Sequence, residues 1–186
     1  MRTLHALTAL AAAASLAACA GTTPRDTARS AAPSAPGTQA TASANLSAAS
    51  GSLASGTLAF TPMGDGVHVT GEIGGLKPNS THAFHIHEKG DCSAADASSA
   101  GGHFNPATQP HGRQRAPQHH AGDSDNLVAD ARGVARVEAH FGGVVLGGGG
   151  GNDIVGKGVV VHADPDDYTS QPAGNAGSRI ACGVIR

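Results

Sequence analysis

His82-Ala83-Phe84-His85-Ile86-His87-Glu88-Lys89-Gly90-Asp91-Cys92 opens a segment that closes at Asp123 and holds seven of the chain's eleven histidines. Side chains two apart on an extended chain share a face, so His85 and His87 can direct both imidazoles at one ion while Ile86 turns toward a core. His103, His111, His120 and Asp123 follow in loop-like sequence, where backbone freedom lets ring nitrogens and a carboxylate converge. Three imidazoles and one carboxylate suit a tetrahedral zinc centre. His162, at the end of a later valine run, can complete the first set. Read singly, each of these histidines would be an ordinary packing or surface residue. Their density, in a chain that is only 3% aromatic, makes the segment a metal site.

Around it the sequence predicts strands. Residues 56–60, 67–73, 83–87, 134–141, 158–162 and 180–185 are short, β-branched or alternating apolar runs punctuated by glycine and proline. Period two, with no helical spacing after the amino-terminal segment, predicts an all-β, antiparallel sandwich or barrel. Two long intervals, 88–127 and 163–178, lack regular patterning, and such loops in a compact domain are usually functional or disordered; here they carry the histidines. Gly151-Asn152-Asp153-Ile154-Val155-Gly156-Lys157-Gly158 imitates a phosphate loop, but lysine is followed by glycine and then a strand-like valine run, so it reads as a turn.

The amino-terminal third has another character. Residues 1–18 contain one early charge, Arg2, and an apolar run too short to span a bilayer, as in a secretion signal. Leu16-Ala17-Ala18-Cys19 resembles a bacterial lipobox, in which Cys19 would be the lipidated first residue of an exported chain anchored to a membrane; the alternative is ordinary cleavage after one of the alanines, with Cys19 left as a spare thiol. Residues 19–50 are mostly Ala, Ser, Thr, Gly and Pro, with only three charges and no large apolar residue before Leu46, and are expected to be a flexible tether, leaving 51–186 as the folded domain. A formal charge of -2 without a basic cluster gives no electrostatic case for nucleic acid. The three cysteines include no Cys-x-x-Cys pair, which argues against a thiolate zinc knot.

Four motifs carry a resemblance to a known family. They are His85-Ile86-His87-Glu88-Lys89-Gly90-Asp91-Cys92, Gly102-His103-Phe104-Asn105-Pro106, His120-Ala121-Gly122-Asp123, and the run from Gly174-Asn175-Ala176-Gly177-Ser178-Arg179 to Ile185. In this order they closely resemble the signatures of copper/zinc superoxide dismutases, over nearly all of the chain from about residue 50 onward. The resemblance implies an eight-stranded, immunoglobulin-like Greek-key fold and the dismutation of superoxide to dioxygen and hydrogen peroxide. It implies copper at His85, His87, His103 and His162, and zinc at His103, His111, His120 and Asp123. His103 would be the shared ligand and proton shuttle, and Arg179 the guanidinium at the mouth of the copper channel. Asp166, rather than its neighbour Asp167, would join a copper histidine to a zinc histidine, and Cys92 and Cys182 would form the intrasubunit disulfide. His82 matches a structural histidine, and His119 is expected to face solvent.

The chain departs from the family pattern in three places. Eleven positions separate Cys92 from His103, the stretch between His162 and Arg179 is short, and Ala83 stands where many members have glycine. The implied setting is the bacterial cell envelope, or periplasm, with a homodimer among the assemblies the family adopts. The rival reading is a non-catalytic copper/zinc-binding envelope protein on the same fold.

Overall fold

The computed structural model describes residues 40–186; the signal segment and Cys19 lie outside the described residues. Nine strands are found: β1 Ala42–Ala48, β2 Ser55–Met63, β3 Gly66–Gly74, β4 Thr81–His82, β5 Phe84–His87, β6 Leu127–Val128, β7 Ala135–Gly142, β8 Gly158–His162 and β9 Arg179–Val184. Seven form one antiparallel sheet in the order β5-β8-β9-β1-β2-β3-β7, and β4 pairs with β6. An Ala129–Ala135 bridge ties the end of β6 to β7. The sheet therefore curls round until its two edges are joined through the β4–β6 pair. β4 and β5 are one extended run interrupted at Ala83, where the chain changes partner: Thr81 and His82 pair with β6, while Phe84 onward pairs with β8. Counted as one strand, they give the eight that were expected.

Each of the six sequence-predicted strands is present, displaced at its ends by at most three residues. The amino-terminal boundary is corrected. β1 lies inside the stretch read as tether and sits between β2 and β9, with Ala42 opposite Phe60 and Ser47 opposite Cys182. Ala42, Ala44 and Leu46 are buried. The alternation Ala42-Ser43-Ala44-Asn45-Leu46-Ser47 has period two, but alanine's small apolar area gives it the composition of a linker. The folded unit thus begins before Gly51.

The core explains the patterns. Val67, Val69 and Ile73 of β3 and Val137 and Phe141 of β7 point inward with Leu58, Phe60, Phe84 and Ile86, and Phe84 meets Phe141 edge-on at 6.1 Å. β8 is buried along its whole length. Val159 and Val161 face the main core, while Val160 packs with Ala97, Ala100 and Cys182 beneath the 88–102 loop. A strand covered on both faces needs a continuous apolar run, hence the unbroken valines. The Cys92–Cys182 disulfide, Cα to Cα 5.8 Å, fastens that loop to β9. Among the described residues no helix is long and apolar enough to cross a membrane.

Candidate metal centre

With Phe84 and Ile86 committed to the core, the pleat of β5 turns His85 and His87 to the opposite face. The two long loops cover that face, and the edge of β5 itself holds the first of them in register. Ile86 N–H donates to Gly122 O at 2.9 Å, Phe104 N–H to Ile86 O at 2.8 Å, Gly122 N–H to Phe104 O at 2.8 Å and Glu88 N–H to Gly102 O at 2.9 Å. Gly122 is required at this approach, since a Cβ there would lie 2.2 Å from Ile86 O. These bonds bring His103, next to Phe104, and His120 and Asp123, beside Gly122, to the histidines of β5.

Two clusters result, each offering four ligand atoms that all lie within 4.8 Å of one another: His85, His87, His103 and His162 in one, and His103, His111, His120 and Asp123 in the other. Every ligand candidate read from the sequence is in one of these sets, and His103 is in both. His82 and His119 stay outside. His82 Nδ1–H donates to His162 O at 2.8 Å, bracing the end of β8. His119 Nδ1–H donates to His120 O at 2.7 Å and is half-buried, so it does not simply face solvent.

Hydrogen bonding selects the nitrogen each ring presents. A carboxylate or carbonyl oxygen only accepts, so a ring nitrogen facing one must carry the proton, and the other nitrogen of the neutral ring is then a bare lone pair. His85 Nε2–H donates to Asp166 Oδ2 at 2.8 Å, and its Nδ1 is buried without a partner. His87 Nδ1–H donates to Gly101 O at 2.9 Å and His162 Nδ1–H to Gly177 O at 3.3 Å. Their Nε2 atoms then face each other at 3.3 Å. His103 Nδ1 lies 2.8 Å from Asp123 Oδ1, and its Nε2 is also buried and unpartnered. Lone pairs converging with no proton between them are what a cation stabilises, and desolvated polar atoms left unmatched are otherwise costly.

The second set is organised on one carboxylate. Asp123 Oδ2 accepts the backbone N–H groups of Gly112 at 3.1 Å and His120 at 2.8 Å. That leaves Oδ1 facing His103 Nδ1 at 2.8 Å, His111 Nδ1 at 3.0 Å and His120 Nδ1 at 3.3 Å. His111 spends its Nε2–H on Asp166 Oδ1 at 2.9 Å. Asp166 thus joins His85 of one set to His111 of the other, fixing the tautomer of His85 and the orientation of both rings. Its neighbour Asp167 instead accepts from Thr169, Ser170 and Asn175 and builds the loop.

Charge follows this geometry. Burial, reinforced by the neighbouring rings, holds the pKa of His87 near 2, of His103 near 4 and of His162 near 3, so all three are neutral at neutral pH. Burial also opposes charge on His111, yet the carboxylates of Asp123 and Asp166 raise it to about 9. Asp123 and Asp166 are themselves held well below the usual carboxylate range by these histidines, against the effect of burial.

A cavity of about 400 Å³ opens on the site, lined by residues that include His87, His103, His162, Pro172, Ala173 and Arg179. Arg179 is anchored by Nη1 to Ala97 O at 2.7 Å and by Nη2 to Gly101 O at 2.6 Å. The supporting atoms escaped sequence reading. The carbonyls of Ala97 and Gly101 have no side-chain signature. Asn126, whose amide pairs with both backbone groups of Asp166, and Gln171, which does the same for His111, lie in polar loop sequence that carries no periodicity.

Comparison with known proteins places this arrangement. Residues 54–185 match the family model described as copper/zinc superoxide dismutase. A Cu-Zn superoxide dismutase of Aquifex aeolicus (strain VF5) is 49% identical over 115 residues, covering 60% of this chain and 67% of that protein. A Cu-Zn superoxide dismutase of Caulobacter vibrioides is 43% identical over 136 residues, covering 70% and 78%. Among solved structures, a SOD-like protein from Bacillus subtilis superposes with a TM-score of 0.70 at 34% identity, covering 77% of this chain and 97% of that one.

Proposed function

The chain belongs to the copper/zinc superoxide dismutase family, and from that premise we propose a division of labour among its side chains. The protein is a superoxide dismutase whose metals are copper and zinc. In this reading His85, His87, His103 and His162 hold copper, and His103, His111, His120 and Asp123 hold zinc. The observation that carries it is the pair of buried, unpartnered nitrogens, His85 Nδ1 and His103 Nε2, in a set where His87 Nε2 and His162 Nε2 also present lone pairs. The all-nitrogen set suits copper, and the set containing a carboxylate suits zinc.

Copper held there would supply one-electron chemistry, by which one superoxide is oxidised to dioxygen and a second is reduced. The second superoxide also needs two protons to leave as hydrogen peroxide, so two superoxide ions and two protons balance one dioxygen and one peroxide. His103 Nε2 takes up and releases one of those protons, while Nδ1, on the Asp123 side, keeps the ring oriented. Asp166 takes the Nε2–H of His85 and of His111 and so turns each Nδ1 toward its own set of side chains. Arg179, rigidly pinned at the cavity, draws in and docks the small anion.

The cellular setting in this reading is the envelope of a bacterium, with Cys19 lipidated and the domain protecting that compartment from superoxide. Support comes from the lipobox-like Leu16-Ala17-Ala18-Cys19 and from the Cys92–Cys182 disulfide, which an oxidising compartment sustains. Stopped-flow dismutation by the purified protein, with copper and zinc measured on the same sample, tests the assignment. Fast turnover proportional to bound copper is expected. Full occupancy of both metals without turnover would instead support the non-catalytic metal-binding reading. Replacement of His119 by alanine should leave zinc content intact, whereas His103→Ala should lose activity and the coupling of the two metals.

A further inference from the structure

The 163–178 loop does more than wall the cavity. Gln171 reaches across from it and takes both backbone groups of His111: His111 N–H donates to Gln171 Oε1 at 2.8 Å, and Gln171 Nε2–H donates to His111 O at 2.9 Å. A primary amide paired with the N–H and C=O of a single residue fixes that residue's backbone in position and in rotation. The ring of the same histidine is held by Asp166, from the same loop. One loop therefore sets where the His111 main chain lies and, with Asp123 on the other side of the ring, which way its imidazole points. The next two residues, Pro172 and Ala173, line the cavity that His87, His103 and His162 also line.

We propose that Gln171 is a positioning residue that locks His111 into the zinc-binding set and, through the same bonds, holds the Pro172-Ala173 wall against the cavity. The proposal rests on the assignment of zinc to His103, His111, His120 and Asp123. Coupling runs both ways, because a bond that places a ligand for an ion is also held in place once the ion binds. Gln171 is itself an exposed residue. A substitution there would ordinarily change stability little, whereas removing a group that orients a metal-binding histidine typically costs about ten- to a hundred-fold in metal affinity.

Gln171→Met keeps the side-chain length and removes both bonds. Wild-type and variant proteins, disulfide intact and stripped of metal, are titrated with zinc(II) against a chromophoric chelator and separately with cobalt(II), whose visible bands report ligand geometry. The expected result is zinc affinity weakened about tenfold and shifted cobalt bands, with the thermal midpoint of the metal-free protein unchanged. Equal zinc affinity and identical cobalt bands in the two proteins would overturn the clamp and leave the zinc assignment standing. A lowered midpoint with unaltered cobalt bands would also overturn it, reducing Gln171 to a loop-stabilising residue. Wild-type protein that gives no tetrahedral cobalt spectrum would sink the zinc assignment and the clamp together.

Discussion

Arg179 donates through Nη2 to the carbonyl oxygen of Gly101 at 2.6 Å, and that oxygen also accepts from His87 Nδ1 at 2.9 Å. One backbone oxygen therefore spaces the channel cation from a ring of the first cluster. Lysine carries the same charge but cannot reach Ala97 O and Gly101 O at once with a planar fork.

Arg179→Ala should accordingly lower kcat/KM about ten- to a hundred-fold with metal content unchanged, and should flatten its dependence on ionic strength. Arg179→Lys should recover part of the rate. Pulse radiolysis across a salt series checks this, and an alanine variant with the wild-type rate and salt dependence would remove Arg179 from substrate guidance.

Gly174 lies against the Asp166–His111 pair with φ of 65°. A Cβ at this position would fall 1.8 Å from Asp166 Oδ1 and 2.8 Å from His111 Nε2. Gly174→Ala must therefore displace Asp166, besides paying about 1 kcal/mol for a left-handed backbone. The expected outcome is a lower thermal midpoint together with weakened binding of both metals, since Asp166 serves one histidine of each set. Unchanged zinc and copper retention on dialysis against chelator would contradict it.

The metal-free protein should be most stable near pH 6.5. His87, His103 and His162 have folded pKa values below the ordinary 6.5. Below pH 6.5 the unfolded chain therefore binds protons that the folded one refuses. Each such proton removes about 1.4 kcal/mol per pH unit as acidity increases. His111 has the opposite sign. Its raised pKa contributes stability that is fully present below 6.5 and is lost as pH climbs through about 9. Urea unfolding of chelator-treated, oxidised protein on either side of pH 6.5 measures this, and stability rising steadily from acid to alkaline pH would refute it. Bound metal occupies the same nitrogens and should shift the acid limb to lower pH.

A chain beginning at Gly51 should fail to fold. It lacks β1, which pairs with β2 on one side and β9 on the other and buries Ala42, Ala44 and Leu46. Circular dichroism and metal retention compare it with the full chain; a well-folded, metal-binding fragment would show that the seven-stranded sheet tolerates a gap at its centre.

That strand also marks the limit of what the sequence discloses. The six other main strands carry Val, Ile, Leu or Phe at period two, or a continuous valine run, and such patterns can be read directly. β1 alternates with alanine, whose burial contributes too little to stand out from linker composition. The ligand candidates were legible because two histidines at strand spacing and a His-x-x-Asp run are local patterns. Asn126, Gln171 and the carbonyls of Gly101 and Ala97 were not, because their roles arise from contacts between segments 40 to 82 residues apart. Backbone carbonyls, moreover, leave no mark on a sequence at all.

β5 ends the seven-stranded sheet, and a bare terminal strand offers unpaired N–H and C=O groups to any other extended chain. Here those groups at Ile86 and Glu88 are taken by Phe104, Gly122 and Gly102. The loop that carries His103 and His120 is thus also the sheet's selvedge, and the bonds that align these two histidines are the ones that leave the border at Ile86 and Glu88 with no bare backbone group to offer another strand.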